Sequence, residues 1–347
     1  MPKIAVIGTT TWGMTLSIIF ANNGLKVRLW ARTEQEAQEL ISNGPPPTLS
    51  DATFPSGLSI TDSLSEALNG VKAVILAVPT QSMRQNIKLA RKYLNDSMLL
   101  ISVAKGLEIG TNQRMSQVIT EEIKPELHHN ICVLSGPNLS REVLKGLPAA
   151  GVIAASDEAV ARKAQKLLTT SNFCIFTNTD VIGVELGGAL KNIIALGAGM
   201  ADGLGYGDNA KSALITRGLT EISALGVALG ANPLTFSGLA GLGDLIATCS
   251  SSLSRNHYVG VELAKGRPLQ EITDAMTGIA EGISTTLVVH NLARQMGLDM
   301  PITQAIYKVL YEDADVRKTS AELMTLGAAH ELAGRKWRLF SSLRKRS

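Results

Sequence analysis

Short apolar runs alternate with segments of helical length through the first half of the chain. Residues 3–7 form an apolar run that ends at glycine, residues 12–23 have helical length, and residues 26–30 form a second apolar run after an Asn-Asn-Gly turn. This order predicts a β-α-β unit. The same alternation continues with strands predicted at residues 73–78, 98–103, 131–135, 150–155 and 173–176, and helices such as 81–93 and 158–169. It predicts a mainly parallel, doubly wound α/β sheet of the Rossmann type.

From about residue 180 the strand pattern ends and glycine-punctuated helices replace it. Helices are predicted over residues 210–229, 258–265, 283–295, 302–311 and 321–330. A chain of 347 residues exceeds what one hydrophobic core usually supports, so two main domains are expected. We predict a nucleotide-binding domain over residues 1–179, an all-α domain over residues 180–335 and a basic C-terminal tail over residues 336–347.

The overall charge and the cysteines narrow the function classes. The net charge is only +3, which argues against a general nucleic-acid binder, although the segment from Arg335 to Arg346 contains six basic residues, both ends included. That tail is interpreted as a solvated end, with contact to an acidic surface as the alternative because Trp337 and Phe340 accompany the charges. Three cysteines without CxxC spacing favour free thiols in a reducing, cytoplasmic compartment over a disulfide framework or a zinc site. No uninterrupted apolar run reaches the length of a membrane span, so none is expected.

Lys191 is the most informative single residue. Residues 183–205 are almost wholly small or apolar, yet they carry this one ammonium group with Asn192 beside it. Burial would lower the pKa of the lysine toward the range useful for proton transfer. Gly188 and Ala195 share its helix face, so a flat ligand or another helix could lie close to it. The alternative is that the small residues only let helices pack while the lysine reaches water.

A candidate nucleotide turn follows the first predicted strand. It reads Gly8-Thr9-Thr10-Thr11-Trp12-Gly13, whereas a dinucleotide turn normally reads GxGxxG. Thr10 stands at the middle glycine position, where its branched side chain is expected to crowd a pyrophosphate. The position between strand and helix still favours phosphate binding, because the helix N-terminus offers free amides and a positive dipole end. A β-α-β unit that has lost its ligand is the alternative.

Arg32 follows the second predicted strand, where an NAD-binding domain usually has an acidic residue for the ribose. An arginine there can pair with the 2′-phosphate of NADP. The sequence therefore favours NADP over NAD, with a solvated surface arginine as the alternative.

Six segments together resemble bacterial-type NAD(P)-dependent glycerol-3-phosphate dehydrogenase over about residues 3–311. They are IAVIGTTTWG, SVAKGLE, SGPNLSREV, GVELGGALKNIIALGAGMADGLGYGDNAKSALITRGLTE, LAGLGDLIATCSSSLSRN and EGISTT. The resemblance implies reversible interconversion of dihydroxyacetone phosphate and sn-glycerol 3-phosphate with NAD(P)H, a step that feeds glycerophospholipid synthesis. It also implies a helical domain similar to the C-terminal domain of 6-phosphogluconate dehydrogenase.

The resemblance assigns roles to individual residues. Lys191 matches the catalytic lysine, which acts as general acid in reduction and general base in oxidation, and Asn192 would orient it or the substrate oxygens. Lys105 matches a second lysine that contacts both substrate and cofactor. The other implied substrate contacts are Gly136, Asn138, Asp244, Ser254, Arg255 and Asn256, with Thr248 as an additional candidate. The alternatives are a strand-end surface position for Lys105, an ordinary turn for Gly136 and Asn138, a helix N-cap for Asp244 and an ordinary loop for residues 254–256.

The implied cofactor contacts are Thr11, Trp12, Arg32, Lys105, Ser140, Arg255, Ile279 and Glu281. Two departures from the family concern this cofactor. Thr10 replaces the middle glycine, and a PPPTLSD segment stands where relatives usually carry Asn-x-x-Tyr-Leu-Pro. Because its three prolines fix φ and remove donors, we predict a surface loop over residues 43–54.

Two other functions remain open from the sequence. A related β-hydroxyacid dehydrogenase would share the helical domain and a lysine-asparagine pair, but it would not need Arg255 for a phosphate. A catalytically weak nucleotide-binding homologue would explain Thr10, although it would have no use for Lys105, Lys191, Asp244 and Arg255 together. The apolar helical domain suggests a homodimer.

Overall fold

The computed structural model describes residues 3–325, and its first half contains one eight-stranded sheet. The strands are β1 (Lys3–Ile7), β2 (Lys26–Trp30), β3 (Leu58–Thr61), β4 (Ala73–Leu76), β5 (Leu99–Ser102), β6 (Ile131–Ser135), β7 (Ala149–Ala154) and β8 (Phe173–Asn178). They lie in the order β3-β2-β1-β4-β5-β6-β7-β8, and all pairs are parallel except β6 with β7. The predicted doubly wound fold class is confirmed.

Seven helices accompany the sheet, and apolar clusters cover both of its faces. They are α1 (Thr11–Asn22), α2 (Glu34–Asn43), α3 (Leu64–Leu68), α4 (Met83–Ala90), α5 (Met115–Glu122), α6 (Ser140–Leu144) and α7 (Glu158–Leu168). Strand order reverses between β1 and β4, and the carboxyl ends of β2, β1, β4, β5 and β6 lie along one edge. Ligands of open α/β sheets bind at such an edge, outside the switch point.

The proline-rich segment differs from its prediction. Pro47–Leu49 forms a 3₁₀ turn, and Leu49 is only 2% exposed, packed in the core. The first turn of a helix needs no amide donor, so proline is tolerated there and the prediction of a loop throughout is wrong. Strand β3 was also not predicted, because it has only four residues and Ser59 within it is exposed.

The second half is built of helices and turns as far as the structure describes it. The helices are α8 (Val181–Gly203), α9 (Gly207–Ala228), α10 (Asp244–Ser250), α11 (Arg255–Ala264), α12 (Leu269–Asp274), α13 (Glu281–Met296), α14 (Pro301–Tyr311) and α15 (Val316–Thr325). Helix α8 is long and apolar enough to cross a membrane, but 83% of its most apolar window is buried under neighbouring elements. It is the core helix of this domain. The predicted basic tail, residues 336–347, lies outside the described residues.

Helices α8 and α11 touch through their main chains. A Cβ atom added at Gly199 would lie 2.0 Å from the carbonyl oxygen of His257, and one added at Gly260 would lie 2.0 Å from that of Leu196. Any side chain at either position would force the helices apart. The small residues of the α8 segment therefore do serve helix packing, as one of the two sequence interpretations expected.

Candidate active site

The ammonium group of Lys191 is buried in the middle of α8, where the side chain is 7% exposed. Its Nζ donates hydrogen bonds to the Asp244 carboxylate and, at 2.6 Å, to the Thr248 hydroxyl. Burial lowers the pKa of Lys191 to about 8, although the nearby Asp244 charge opposes that shift. The alternative that this lysine reaches water is wrong.

Asp244 joins the two lysines of the site. Its carboxylate accepts from Lys191 through one oxygen and from Lys105 Nζ through the other, at 2.8 Å. The turn Leu239–Gly243 delivers Asp244 to α8, because Gly187 leaves room there for a backbone carbonyl. The carboxylate makes no helix-capping bond, so the N-cap alternative does not describe it. Two ammonium groups around one carboxylate leave an excess positive charge, which suits a developing alkoxide.

Lys105 and Gly136 bring the ends of β5 and β6 into the same cluster. Lys105 Nζ donates to the Gly136 carbonyl at 2.9 Å. Gly136 has φ +126°, and a Cβ there would lie 3.0 Å from Gly151, so the turn requires glycine. The Asn138 amide, with its nitrogen facing the main chain, donates to the carbonyls of Ala150 and Pro137 at 3.1 Å each.

Asn192 and Asn256 connect three helices through their side-chain amides. Asn192 donates to the Lys105 carbonyl at 3.0 Å and accepts from Asn256 at 2.9 Å. The Asn256 oxygen accepts from the Gly282 amide at 2.9 Å. These bonds tie α8, α11 and the start of α13 together behind the two lysines. Asn192 therefore positions Lys105 by a hydrogen bond to the main-chain carbonyl of Lys105.

Arg255 opens α11 beside this cluster. Ser254 caps the helix by accepting from the His257 amide at 3.2 Å, and Arg255 is exposed. Gly278 has φ +99°, and a Cβ there would lie 2.4 Å from Arg255 Nη1. The guanidinium therefore lies against a bare stretch of main chain. An arginine at a helix N-terminus provides both a charge-assisted fork and backbone amides for an anion.

Glu281 reaches across to the nucleotide-binding domain. It begins α13 and accepts from the Thr80 amide, beyond the end of β4, at 2.8 Å. Burial raises the pKa of Glu281, an effect that hydrogen bonding to Thr80 opposes. One carboxylate oxygen is thus engaged in a contact between domains, while the neighbouring Ile279 is exposed.

The nucleotide turn keeps the shape that a dinucleotide requires. Gly8 has φ +110°, and a Cβ on Gly13 would lie 2.3 Å from the Gly8 carbonyl oxygen, so the first and third glycines are both needed. Thr10 caps α1: its hydroxyl accepts from the Gly13 amide at 3.1 Å and donates to the buried Ala77 carbonyl at 2.7 Å. Both bonds hold the hydroxyl against the protein. The Trp12 ring packs edge-on to Phe173, while Thr11 begins α1 and Ser140 begins α6.

Sequence reasoning overlooked Glu36, which lies on the first turn of α2. Its carboxylate accepts from the Thr9 hydroxyl and, at 2.8 Å, from the backbone amide of Arg32. The pattern Thr33-x-x-Glu36 was the available signal, because it is a typical helix-capping box. Arg32 itself is exposed.

The cysteines take no part in this chemistry. Cys132, Cys174 and Cys249 are all free thiols, as predicted. Burial raises the pKa of Cys249 to about 12, so it stays a thiol although it follows Thr248. Within residues 3–325 no group of three or more His, Cys, Asp or Glu side chains is placed to hold a metal ion.

A parallel sheet with a nucleotide turn, joined to helices that bury a reactive lysine, defines a two-domain dinucleotide-dependent oxidoreductase. Residues 3–161 match the family model of the NAD-dependent glycerol-3-phosphate dehydrogenase N-terminus, and residues 180–321 match that of its C-terminus. The chain belongs to the NAD-dependent glycerol-3-phosphate dehydrogenase family. The resemblance found in the sequence segments is confirmed.

Individual relatives agree over nearly the whole chain. A glycerol-3-phosphate dehydrogenase (NAD(P)+) of Dehalococcoides mccartyi is 63% identical over 100% of this chain and 97% of its own. One from Geobacter sp. strain M21 is 44% identical over 93% and 97%. The crystal structure of glycerol-3-phosphate dehydrogenase from Coxiella burnetii superimposes with a TM-score of 0.86 at 34% identity, covering 93% of this chain and 98% of that one.

Proposed function

We propose that this protein interconverts dihydroxyacetone phosphate and sn-glycerol 3-phosphate with NADPH or NADH, and that Lys191 is its general acid and base. The observation that carries the proposal is the buried lysine with a pKa of about 8, held by Asp244 and Thr248. A proton donor is most effective when its pKa lies near the working pH. Lys191 meets that condition in both directions of the reaction.

Lys191 accounts for the proton that is transferred in each direction of the reaction. In reduction, the C2 carbonyl carbon gains a hydride and its oxygen takes a proton from Lys191 Nζ, leaving a neutral amine. In oxidation, the amine removes the hydroxyl proton while the hydride leaves C2. The bound nicotinamide cofactor supplies or accepts that hydride. Lys105 adds a fixed positive charge that polarises the carbonyl, and Asp244 holds both lysines by accepting a hydrogen bond from each.

Phosphate recognition falls to the N-terminus of α11. Arg255 is free to form a bidentate pair there, with Ser254 and Asn256 beside it. Gly136, whose carbonyl accepts from Lys105, and Asn138 follow the end of β6, and we propose that both contact the substrate. The β1–α1 turn supports a dinucleotide site, since Gly8 at φ +110° and the close approach of Gly13 to the Gly8 carbonyl give the tight strand–turn–helix geometry of that motif. We propose that the cofactor is held there and by Thr11, Trp12, Arg32, Lys105, Ser140, Arg255, Ile279 and Glu281.

Loss of reduced-nicotinamide absorbance on adding dihydroxyacetone phosphate tests the activity, run in parallel with NADPH and NADH. Lys191→Met is expected to lower kcat by about 10³-fold, within the range for removing a general acid. Lys163→Met on the exposed surface of α7 is the matched control and should retain full activity. Wild-type protein inactive with both cofactors, or a Lys191→Met protein with undiminished turnover, would overturn the proposal.

Substrate preference and cofactor binding separate this reaction from the two alternative functions. Arg255→Ala should raise KM for dihydroxyacetone phosphate, whereas a β-hydroxyacid dehydrogenase would reduce a non-phosphorylated substrate regardless of Arg255. A catalytically weak homologue would bind NADPH without turnover.

We further propose that the protein acts in the cytoplasm as a homodimer and supplies glycerol 3-phosphate for glycerophospholipid synthesis. The three free cysteines support the reducing compartment, and sedimentation equilibrium tests the dimer.

A further inference from the structure

Glu36 connects the two turns that face the adenosine end of a dinucleotide site. Its Oε1 accepts from the hydroxyl of Thr9, in the β1–α1 turn, and its Oε2 accepts from the backbone amide of Arg32, two residues after the end of β2, at 2.8 Å. The side chain is half-buried between them. One carboxylate therefore links the ends of two adjacent parallel strands.

Helix capping alone does not account for this arrangement. Thr33 is the N-cap of α2, and its hydroxyl accepts from the Glu36 amide at 3.2 Å. In a capping box the glutamate would return this bond to the N-cap amide. Here the carboxylate instead bonds the residue before the cap and a side chain of the glycine-rich turn. The geometry holds a negative charge at the edge of the nucleotide site.

The place is the one at which dinucleotide folds distinguish their cofactors. An acidic side chain about 20 residues beyond the glycine-rich turn accepts from the ribose hydroxyls of NAD, and an arginine nearby accommodates the 2′-phosphate of NADP. Both charges are present in this chain. The Arg32 side chain is exposed and forms no hydrogen bond or ion pair with any described residue, so it is available to a phosphate.

We propose that Glu36 determines cofactor specificity by accepting from the ribose of NAD(H) and repelling the 2′-phosphate of NADP(H), against the attraction of Arg32. This inference rests on the proposed function. An ionised carboxylate has about four acceptor positions, of which Thr9 and Arg32 use two, so capacity remains for a ribose hydroxyl. The 2′-phosphate carries a charge of about −2, which the same carboxylate disfavours. Opposed side chains in one subsite explain how a single site serves both cofactors.

The test is the ratio of kcat/KM for NADPH to that for NADH at saturating dihydroxyacetone phosphate. Glu36→Gln is expected to raise this ratio about 10-fold, and Arg32→Ala to lower it about 10-fold. The Glu36→Gln effect should shrink at high salt, because the repulsion is screened. Glu39→Gln removes the same charge one turn further along α2, where the side chain accepts from Gln35, and should leave the ratio unchanged.

A merely structural role for Glu36 gives a different result. If the carboxylate only fastened the two turns, Glu36→Gln would weaken both cofactors equally and lower the melting temperature without changing the ratio; that outcome would overturn the proposal. Dissociation constants of NADPH and NADH, from nicotinamide fluorescence without substrate, supply the same ratio independently of turnover. A protein that fails the dehydrogenase assay but shows the shifted binding ratio would therefore refute the proposed reaction and retain the role of Glu36.

Discussion

Lys191 and Asp244 form a buried ion pair between α8 and α10, and the aspartate is only 1% exposed. Lys105 shares the same carboxylate, so the negative charge of Asp244 is compensated by two lysines. For Lys191, the Asp244 carboxylate is the counter-charge. Asp244 therefore keeps the buried lysine protonated as far as burial allows. The protonation of Lys191 depends directly on this pair.

The pH dependence of the two directions follows from the lysine. Its pKa is lowered to about 8, so the ammonium form predominates below that pH and disappears as the pH rises through it. Reduction, which needs the ammonium, should fall through about pH 8, and oxidation, which needs the amine, should rise over the same window. Asp244→Asn should move both transitions down by about 1 pH unit, because the charge that raises the pKa is gone.

Profiles of kcat/KM against pH in both directions check this. Asp208→Asn, at a side chain that is 98% exposed, is the control and should leave the profiles in place. Transitions that stay near pH 8 in Asp244→Asn would contradict the assigned role of the pair.

Gly278 is expected to control substrate affinity through Arg255. A Cβ at Gly278 would lie 2.4 Å from Arg255 Nη1, so Gly278→Ala should displace the guanidinium and raise KM for dihydroxyacetone phosphate about 10-fold. Gly266→Ala is the matched control, since Gly266 also has a positive φ, +83°, but open space around it. It should cost about 1 kcal/mol of stability and leave KM unchanged. Equal KM changes in both variants would argue against steric displacement.

Glu185 should stabilise the packing of α8 against the nucleotide-binding domain. It accepts from Arg114 at 2.5 Å, and from the amide and hydroxyl of Ser116 at 2.7 and 2.6 Å. Glu185→Ala should lower the free energy of unfolding by about 3 kcal/mol, because it leaves a largely buried arginine unpaired. Glu158→Ala, which breaks an exposed pair with Arg162, should cost less than about 1 kcal/mol by urea denaturation.

Thr10 should support the nucleotide turn instead of crowding it. Its hydroxyl caps α1 and bonds the Ala77 carbonyl, so Thr10→Val should lower the free energy of unfolding by about 1 to 2 kcal/mol, while Thr10→Ser should resemble wild type. Thr10→Gly, which restores the usual motif, should not bind NADPH more tightly. Tighter binding by fluorescence titration would mean that the threonine does obstruct the pyrophosphate.

Local patterns predicted much of this fold. The predicted bounds of β1, β2 and β6 coincide with the observed ones, since each is an apolar run with clear turn residues around it. Strand β3 has no such pattern. Its four residues owe their conformation to pairing with β2, a tertiary effect that propensity does not contain.

The site was predictable in its residue types but not in its connections. Lys105 and Asp244 are 139 positions apart, so no spacing indicates that one bonds the other. Asn256 was expected to face a phosphate, yet its amide is largely used by Asn192 and Gly282. The capping-box pattern at Glu36 was visible, but only the folded chain shows its carboxylate crossing to Thr9.

The main-chain contact of α8 with α11 also bears on which molecules can react. The helix that carries Lys191 and the helix that carries Arg255 meet at Gly199 and Gly260, with no side chains between them at these points that could repack. The spacing of these two helices is consequently set by their backbones. If Lys191 and Arg255 act as proposed, a phosphorylated ketone one carbon longer should be reduced less efficiently, because the two helices cannot move apart to receive it.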